Sequence, residues 1–326
     1  MNRPTTRTLV LLLLLLLLLV VTQVVLEAGY RHFAIAPATA LGTAGALTYS
    51  YPKYDVLLAF GDSITQFGFY PVNSGYLIHL AQHFHRRMDV VNRGFSGYNT
   101  ADARRIADLV LPQTQQRAPS TNPGLRRRLL PGSRPHRPTA LATTGASGKL
   151  WPQGRGNTFP TQEGKLQLCI LFFGANDARL EGERHHLPVE QYGDNLRYLA
   201  SLLRDPDSAH YSPDTRILII TPPAVGDRMI ERTTAPGAQP PLRNSVTGTY
   251  AGMAMAVARE LGIPHVDLYS AINDAAKTAA AQNPHGRLEG YDHYLVDGLH
   301  LSSGGNTLLY DLIIKTIAAN WPEMAP

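Results

Sequence analysis

The chain has 326 residues, of which 44% are hydrophobic, 17% charged and 8% aromatic, a composition that can bury a core and excludes a fully disordered or fibrous protein. Its single cysteine, Cys169, excludes an internal disulfide scaffold, and without an HExxH pattern a zinc site has no ligand set to stand on. The formal charge of +5 is concentrated: residues 113–166 hold nine Lys or Arg against one acid, Glu163, leaving 21 basic and 24 acidic residues elsewhere. Basicity therefore belongs to one segment and does not mark the protein as a nucleic-acid binder.

In chain order, Arg3 and Arg7 precede an apolar run from Leu9 to Val21 that continues through Thr22 and Gln23 to Leu26. Its length falls between a signal-peptide core of about 7–15 residues and a spanning helix of about 20. Residues 1–28 are therefore expected to form a signal peptide or signal anchor. The basic residues ahead of the run place the rest of the chain on the lumenal or extracellular side of a membrane, or in the medium if the segment is cleaved. Residues 29–53, rich in Ala, Gly, Thr and Tyr, read as a linker.

From Tyr54 onward, short apolar runs alternate with stretches of helical period. Tyr54–Phe60, Asp89–Phe95, Leu166–Phe173, Thr215–Pro222 and His265–Tyr269 read as buried strands. Gly75–Arg87, Thr100–Leu111, Val189–Leu203, Leu242–Leu261 and Gly304–Asn320 read as helices. Such alternation predicts an α/β domain over 54–320, a three-layer α/β/α arrangement around a five-stranded parallel sheet. Catalytic groups then belong outside the carboxyl ends of the strands. Residues 113–166 interrupt the rhythm with seven Pro and seven Gly and no Val, Ile or Tyr. They read as a disordered insertion, without the interleaved aromatics or amphipathic period of a nucleic-acid or membrane arm. Residues 321–326 read as a tail.

Four motifs carry chemistry. Gly61-Asp62-Ser63 follows the first strand, where a tight turn exposes a serine, although the serine of a lone GDS tripeptide is more often a helix N-cap. Asn92-Arg93-Gly94-Phe95-Ser96-Gly97 ends the second strand, with the Gly94 N–H open to a substrate oxygen. Gly174-Ala175-Asn176-Asp177 ends the third and offers the Asn176 amide as a neutral donor. Asp297-Gly298-Leu299-His300 sets an acid three residues before a histidine on a loop that can return to the serine.

In this order the motifs resemble the SGNH, or GDSL, hydrolase superfamily. Phe60–Gln66, Asn92–Thr100, Phe172–Ala178, Arg243–Val246 and Asp297–Ser302 with Gly305-Asn306 are closest to its isoamyl acetate-hydrolysing esterase group. The resemblance covers residues 54–112 and 167–320. It implies a flavodoxin-like SGNH fold and an ester hydrolase in which Ser63 is the nucleophile, His300 the base and Asp297 its orienting acid. It further implies an oxyanion hole of the Ser63 and Gly94 N–H groups and the Asn176 side chain, and a small, short-acyl ester substrate, with no metal or organic cofactor and no nucleic-acid partner. Lysophospholipase, thioesterase, carbohydrate deacetylase and acyl transfer draw on the same residues, and a membrane-tethered binding module without turnover is the reading outside catalysis. Asp62 and Asp177 read as turn-holding residues and His293 as a rival base. His79, His83 and His85 read as solvent-facing, His185 and His186 as loop residues, and Met253 and Met255 as packing.

Overall fold

A computed structural model describes residues 54–113, 164–282 and 289–325. Its centre is an all-parallel sheet of β1 (Asp55–Gly61), β2 (Met88–Gly94), β3 (Leu166–Phe172), β4 (Arg216–Ile220) and β5 (His265–Val266), in the spatial order β2-β1-β3-β4-β5. The strands are near-continuous apolar runs because both faces of the sheet are covered. In β1, Leu57 and Ala59 face one core while Val56, Leu58 and Phe60 face the other, the period-two alternation of an extended chain.

The first face is packed by α2 (Tyr76–His83), α7 (Leu268–Gln282) and α8 (Ser303–Asn320). The second is packed by α3 (Thr100–Val110), α4 (Val189–Arg204) and α6 (Asn244–Glu260). On α4 the buried stripe Tyr192, Leu196, Leu199 and Leu203 has the helical spacing expected of a helix lying on a sheet. Two short helices complete the set, α1 (Ser63–Gln66) and α5 (Asp227–Thr233). The fold is thus the three-layer α/β/α domain with a five-stranded parallel sheet.

Several boundaries differ from expectation for local reasons. The strand expected over His265–Tyr269 stops after Val266, because the Asp267 carboxylate accepts the Ser270 N–H at 3.0 Å and starts α7. The 321–326 stretch expected as a tail forms a 3-10 turn over Pro322–Met324, with Met324 buried in the first core. His79 and His83 do not face solvent alone: His79 Nε2 lies 2.9 Å from Ser74 Oγ, and His83 Nδ1 lies 3.1 Å from the Tyr310 hydroxyl of α8. Cys169 is buried in β3 and its thiol is pushed up to about 12 by burial, so it is inert at neutral pH.

The chain order of the strands reverses at β1, which has β2 on one side and β3 on the other. That crevice, at the carboxyl ends, is the topological switch point where such sheets bind ligands. Pro112 and Gly164 meet at the opposite end, where with Val56 and Leu166 they line a small cavity and Lys165 O accepts the Val56 N–H. The apolar segment 1–28, the linker and most of the basic insertion lie outside the described residues. Among the described residues no helix is long and apolar enough to cross a membrane.

Ile170 is fully buried at the centre of β3. Ile170→Ala should cost about 2–5 kcal/mol, read as a lower urea midpoint with an unchanged denaturant slope.

Candidate active site

Ser63 sits on the first turn after β1, buried to 6% exposure. The turn demands glycine before it, since a Cβ on Gly61 would come within 2.1 Å of Thr65 Oγ1 and 2.6 Å of the Phe172 carbonyl oxygen. Asp62 caps α1 by accepting the Ile64 N–H at 2.9 Å. Ser63 is therefore the first helical residue, and its own N–H belongs to the set that a helix leaves without an internal partner.

His300 and Asp297 reach Ser63 from the loop ahead of α8. Leu295 and Leu301 form an antiparallel bridge, and the Val296 N–H donates to the His300 carbonyl at 2.8 Å, closing a tight loop. Gly298 turns it at φ +95, a left-handed conformation suited to glycine. Asp297 Oδ1 accepts the N–H groups of Leu299 at 3.0 Å and His300 at 2.8 Å, while Oδ2 lies 2.7 Å from His300 Nδ1. His300 Nε2 lies 2.8 Å from Ser63 Oγ. With Nδ1–H donated to Asp297, Nε2 is left to accept the serine hydroxyl proton. The Phe67 ring packs against the imidazole with centroids 5.2 Å apart.

The charges are set unequally. Burial raises the Asp297 carboxyl, but the hydrogen bonds from the His300 ring and from the His300 and Leu299 N–H groups outweigh it and hold the group at about 2. Burial lowers His300, but hydrogen bonding to Asp297 and the charges of Asp297 and Asp62 outweigh that and raise it above its ordinary value. Asp297 is thus an anion that favours an imidazolium beside it.

Asn176 follows β3 on the other side of the switch point and is buried to 4% exposure. One of its two amide hydrogens goes to the Tyr98 carbonyl at 2.9 Å, which leaves the second for another acceptor. The neighbouring Asp177 accepts both the N–H and the hydroxyl of Thr100, fastening the β3 turn to the start of α3. Asp62 and Asp177 therefore do hold turns, as expected.

The expected role of Gly94 requires correction. Its N–H donates to Asn92 Oδ1 at 2.8 Å and is not free. Glycine is needed there because a Cβ would lie 2.0 Å from Gln66 N, where β2 abuts α1. Three residues on, Gly97 stands at φ +81 on the turn whose Tyr98 carbonyl holds Asn176, and its N–H makes no hydrogen bond to the described residues. His293 is exposed on the 3-10 turn Tyr291–His293, with its carbonyl accepting from Ser302, and takes no part in the site. Phe67, which packs against His300, and Arg179, whose charge reaches His300, are not singled out by the sequence, and His185, which lies beside Gly97, is expected there only as a loop residue. Among the described residues there is no cluster of three or more His, Cys, Asp or Glu suited to a metal ion.

The profile described as the GDSL-like lipase/acylhydrolase family matches residues 59–308. The chain belongs to that family. The chain is 32% identical over 257 residues to the human isoamyl acetate-hydrolyzing esterase 1 homolog, covering 78% of this chain and 77% of that protein. An Arabidopsis thaliana GDSL esterase/lipase is 29% identical over 281 residues, covering 83% of this chain and 89% of that protein. As a member of this GDSL esterase family, the protein is a hydrolase of ester bonds.

Burial pushes the Asp62 carboxyl up to about 7, against the Ile64 hydrogen bond and the charge of His300, and raises Asp177 to about 6. A carboxyl whose pKa is higher folded than unfolded takes up protons on folding, so stability falls as pH rises between the two values. The protein should lose stability from pH about 4 to about 7. Asp62→Asn, which keeps the capping oxygen, should remove up to about 4 kcal/mol of that loss, measured by urea unfolding across the range. A wild-type slope unchanged by the substitution would contradict this reading.

Proposed function

We propose that the protein cleaves short-acyl, acetyl-type esters through Ser63, His300 and Asp297. The observation that carries the reading is the unbroken pair of short contacts, 2.8 Å from Ser63 Oγ to His300 Nε2 and 2.7 Å from His300 Nδ1 to Asp297 Oδ2. Ser63 Oγ attacks the ester carbonyl carbon while its proton passes to His300 Nε2. Asp297 keeps the imidazole in the accepting tautomer and stabilises the imidazolium. Collapse of the tetrahedral intermediate breaks the bond to the alcohol oxygen, which leaves with the proton held by His300. Water, deprotonated by His300, then attacks the acyl-serine and regenerates Ser63.

The oxyanion is held by the Ser63 N–H, the free amide hydrogen of Asn176 and the N–H of Gly97. Gly97 takes the place first expected of Gly94, whose hydrogen is already given to Asn92. Each is a fixed neutral donor outside the strand ends, where charge develops. The acetyl preference rests on the relatives, which are named isoamyl acetate-hydrolyzing esterase homologs.

Kinetics on 4-nitrophenyl acetate, butyrate, octanoate and palmitate test the reading. Ser63→Ala and His300→Ala should lose nearly all turnover, Asp297→Asn about 10³-fold or more, and Asn176→Ala about 10²- to 10³-fold in kcat, with folded circular dichroism throughout. Activity should fall with chain length. Retained turnover in Ser63→Ala would overturn the assignment, and a rise toward palmitate would move the substrate to lipid esters.

The leucine-rich run between Arg7 and Glu27 supports a signal anchor that leaves the catalytic domain lumenal or extracellular. The full chain should then resist extraction from membranes by alkaline carbonate, whereas residues 29–326 should not pellet with them.

A further inference from the structure

Three residues beyond Asn176, the same turn carries Arg179, whose N–H donates to the Asn176 carbonyl at 3.2 Å. The residue is half-buried, yet its guanidinium makes no hydrogen bond or ion pair with any described residue, and its Nε is buried without a partner. Five other arginines of the domain pair with an acid, Arg105 with Asp102, Arg197 with Glu260, Arg216 with Glu323, Arg228 with Glu289 and Arg243 with Glu231, and Arg86, Arg184 and Arg232 are exposed to solvent. A partly desolvated cation without a counter-ion is costly, and the charge of this one reaches His300. Its charge opposes protonation of His300 and of His185. His185 is tied to the Gly97 turn, with its carbonyl accepting from Asn99 at 2.9 Å and its Nε2 within 3.9 Å of the Cβ position of Gly97.

On any neutral ester Arg179 works against the imidazolium that the proposed mechanism must form. An anion in the bound substrate would cancel that charge and satisfy the donors. A second side is apolar: the Phe67 ring packs at a tilt against His300, and the Tyr70 ring, 47% exposed, is tilted against Phe67 with centroids 4.9 Å apart. The imidazole of His300 thus meets an apolar ring on one side and feels a cation that has no counter-ion among the described residues.

We propose that Arg179 is a specificity residue which binds a carboxylate or phosphate carried by the ester, making anionic esters the preferred substrates. The proposal rests on the reading of Ser63 as nucleophile. The nearest competing role is structural, since Asp177 Oδ2, two residues before Arg179 in the chain, is also buried without a partner among the described residues.

The test compares kcat/KM of the full chain on matched esters. Mono-4-nitrophenyl glutarate against 4-nitrophenyl pentanoate places the charge on the acyl side, and 4-acetoxybenzoate against phenyl acetate places it on the alcohol side. In Arg179→Gln the anionic-to-neutral ratio should fall about tenfold or more for one pair, mainly through KM, as expected for loss of a charge-assisted contact. Arg179→Lys should restore part of it, and added salt should weaken it in the wild type. The pair that responds identifies which side of the ester bears the anion. On the neutral probes the acid limb of the pH profile should move to higher pH in Arg179→Gln, because His300 then keeps its proton more readily.

Unchanged ratios for both pairs would overturn the proposal, as would failure of the wild type to cleave either anionic probe. Equal losses on anionic and neutral probes, accompanied by a lower Tm and relieved in Asp177→Asn, would assign Arg179 to structure instead. Ser63→Ala run alongside separates the cases: its residual turnover would sink the serine mechanism, while its inactivity beside an indifferent Arg179→Gln would sink only this proposal.

Discussion

Everything in the site depends on how closely the backbone after β2 can approach the first turn of α1. At Gly94 that approach leaves no room for a methyl group, because Gln66 N stands 2.0 Å from where it would be. Glycine at Gly61 permits the matching contact with Thr65 and with the end of β3. The side chain of Asn92 locks the joint by donating to the Thr65 and Gln66 carbonyls at 2.8 and 3.2 Å while accepting from Gly94. Three strand ends are thereby drawn into one crevice, and each delivers a polar group to it: Ser63 after β1, the Gly97 turn after β2 and Asn176 after β3. The switch point of the sheet supplies the place, and the glycines make it narrow enough to be useful.

Burial then gives the carboxylates different duties. Asp62 and Asp177 are sealed under the site and raised by desolvation, against the pull of the backbone and hydroxyl donors that each accepts in its turn. Asp297 is nearer solvent and surrounded by donors, which keeps it ionised. One residue type thus divides into cap, clamp and imidazole partner by environment alone. The negative charge of Asp62 also reaches His300 and works in the same direction as Asp297, whereas Arg179 works against both. The balance at the imidazole is therefore open to adjustment by whatever occupies the site.

Much of this was legible in the sequence because it is periodic or local. Apolar runs marked the strands and a 3.6-residue stripe marked α4, while a serine after Gly61 and an acid three residues before His300 are motifs whose partners sit at fixed offsets. What could not be read depended on space. Gly94 and Gly97 are equivalent as letters, and only the Asn92 hydrogen bond and the contact with Gln66 tell which N–H is spoken for. Arg179 looked like one more cation in a loop, because its lack of a counter-ion among the described residues is a property of the fold. The helix α7 was hidden by reading the apolar residues after His265 as a longer strand, when the capping carboxylate of Asp267 had already ended it. His79 and His83 looked solvent-facing because Tyr310, which covers them, lies more than two hundred residues away.

The placement of the basic insertion follows the polarity of a parallel sheet. A chain entering β3 must do so at the amino end of the strand, and Pro112, just before the insertion, meets Gly164, near its end, beside Val56 and Leu166 at that end. Ser63, Asn176 and His300 belong to the carboxyl end, a full strand length away. The entry is further pinned by Asp55, whose carboxylate accepts the Lys165 N–H and the Gln167 side chain at 2.8 Å each. The departure is pinned by His210, which bridges Asp108 and the Pro112 carbonyl at 2.9 and 3.0 Å. With both junctions tied into the amino edge, the register shift of β3 against β1 is confined to that edge, between Val56 and Leu57, and the pairing is regular from Leu57 up to the crevice. A loop after β2 or β3 stands instead at the carboxyl end, where its residues are the wall of the site.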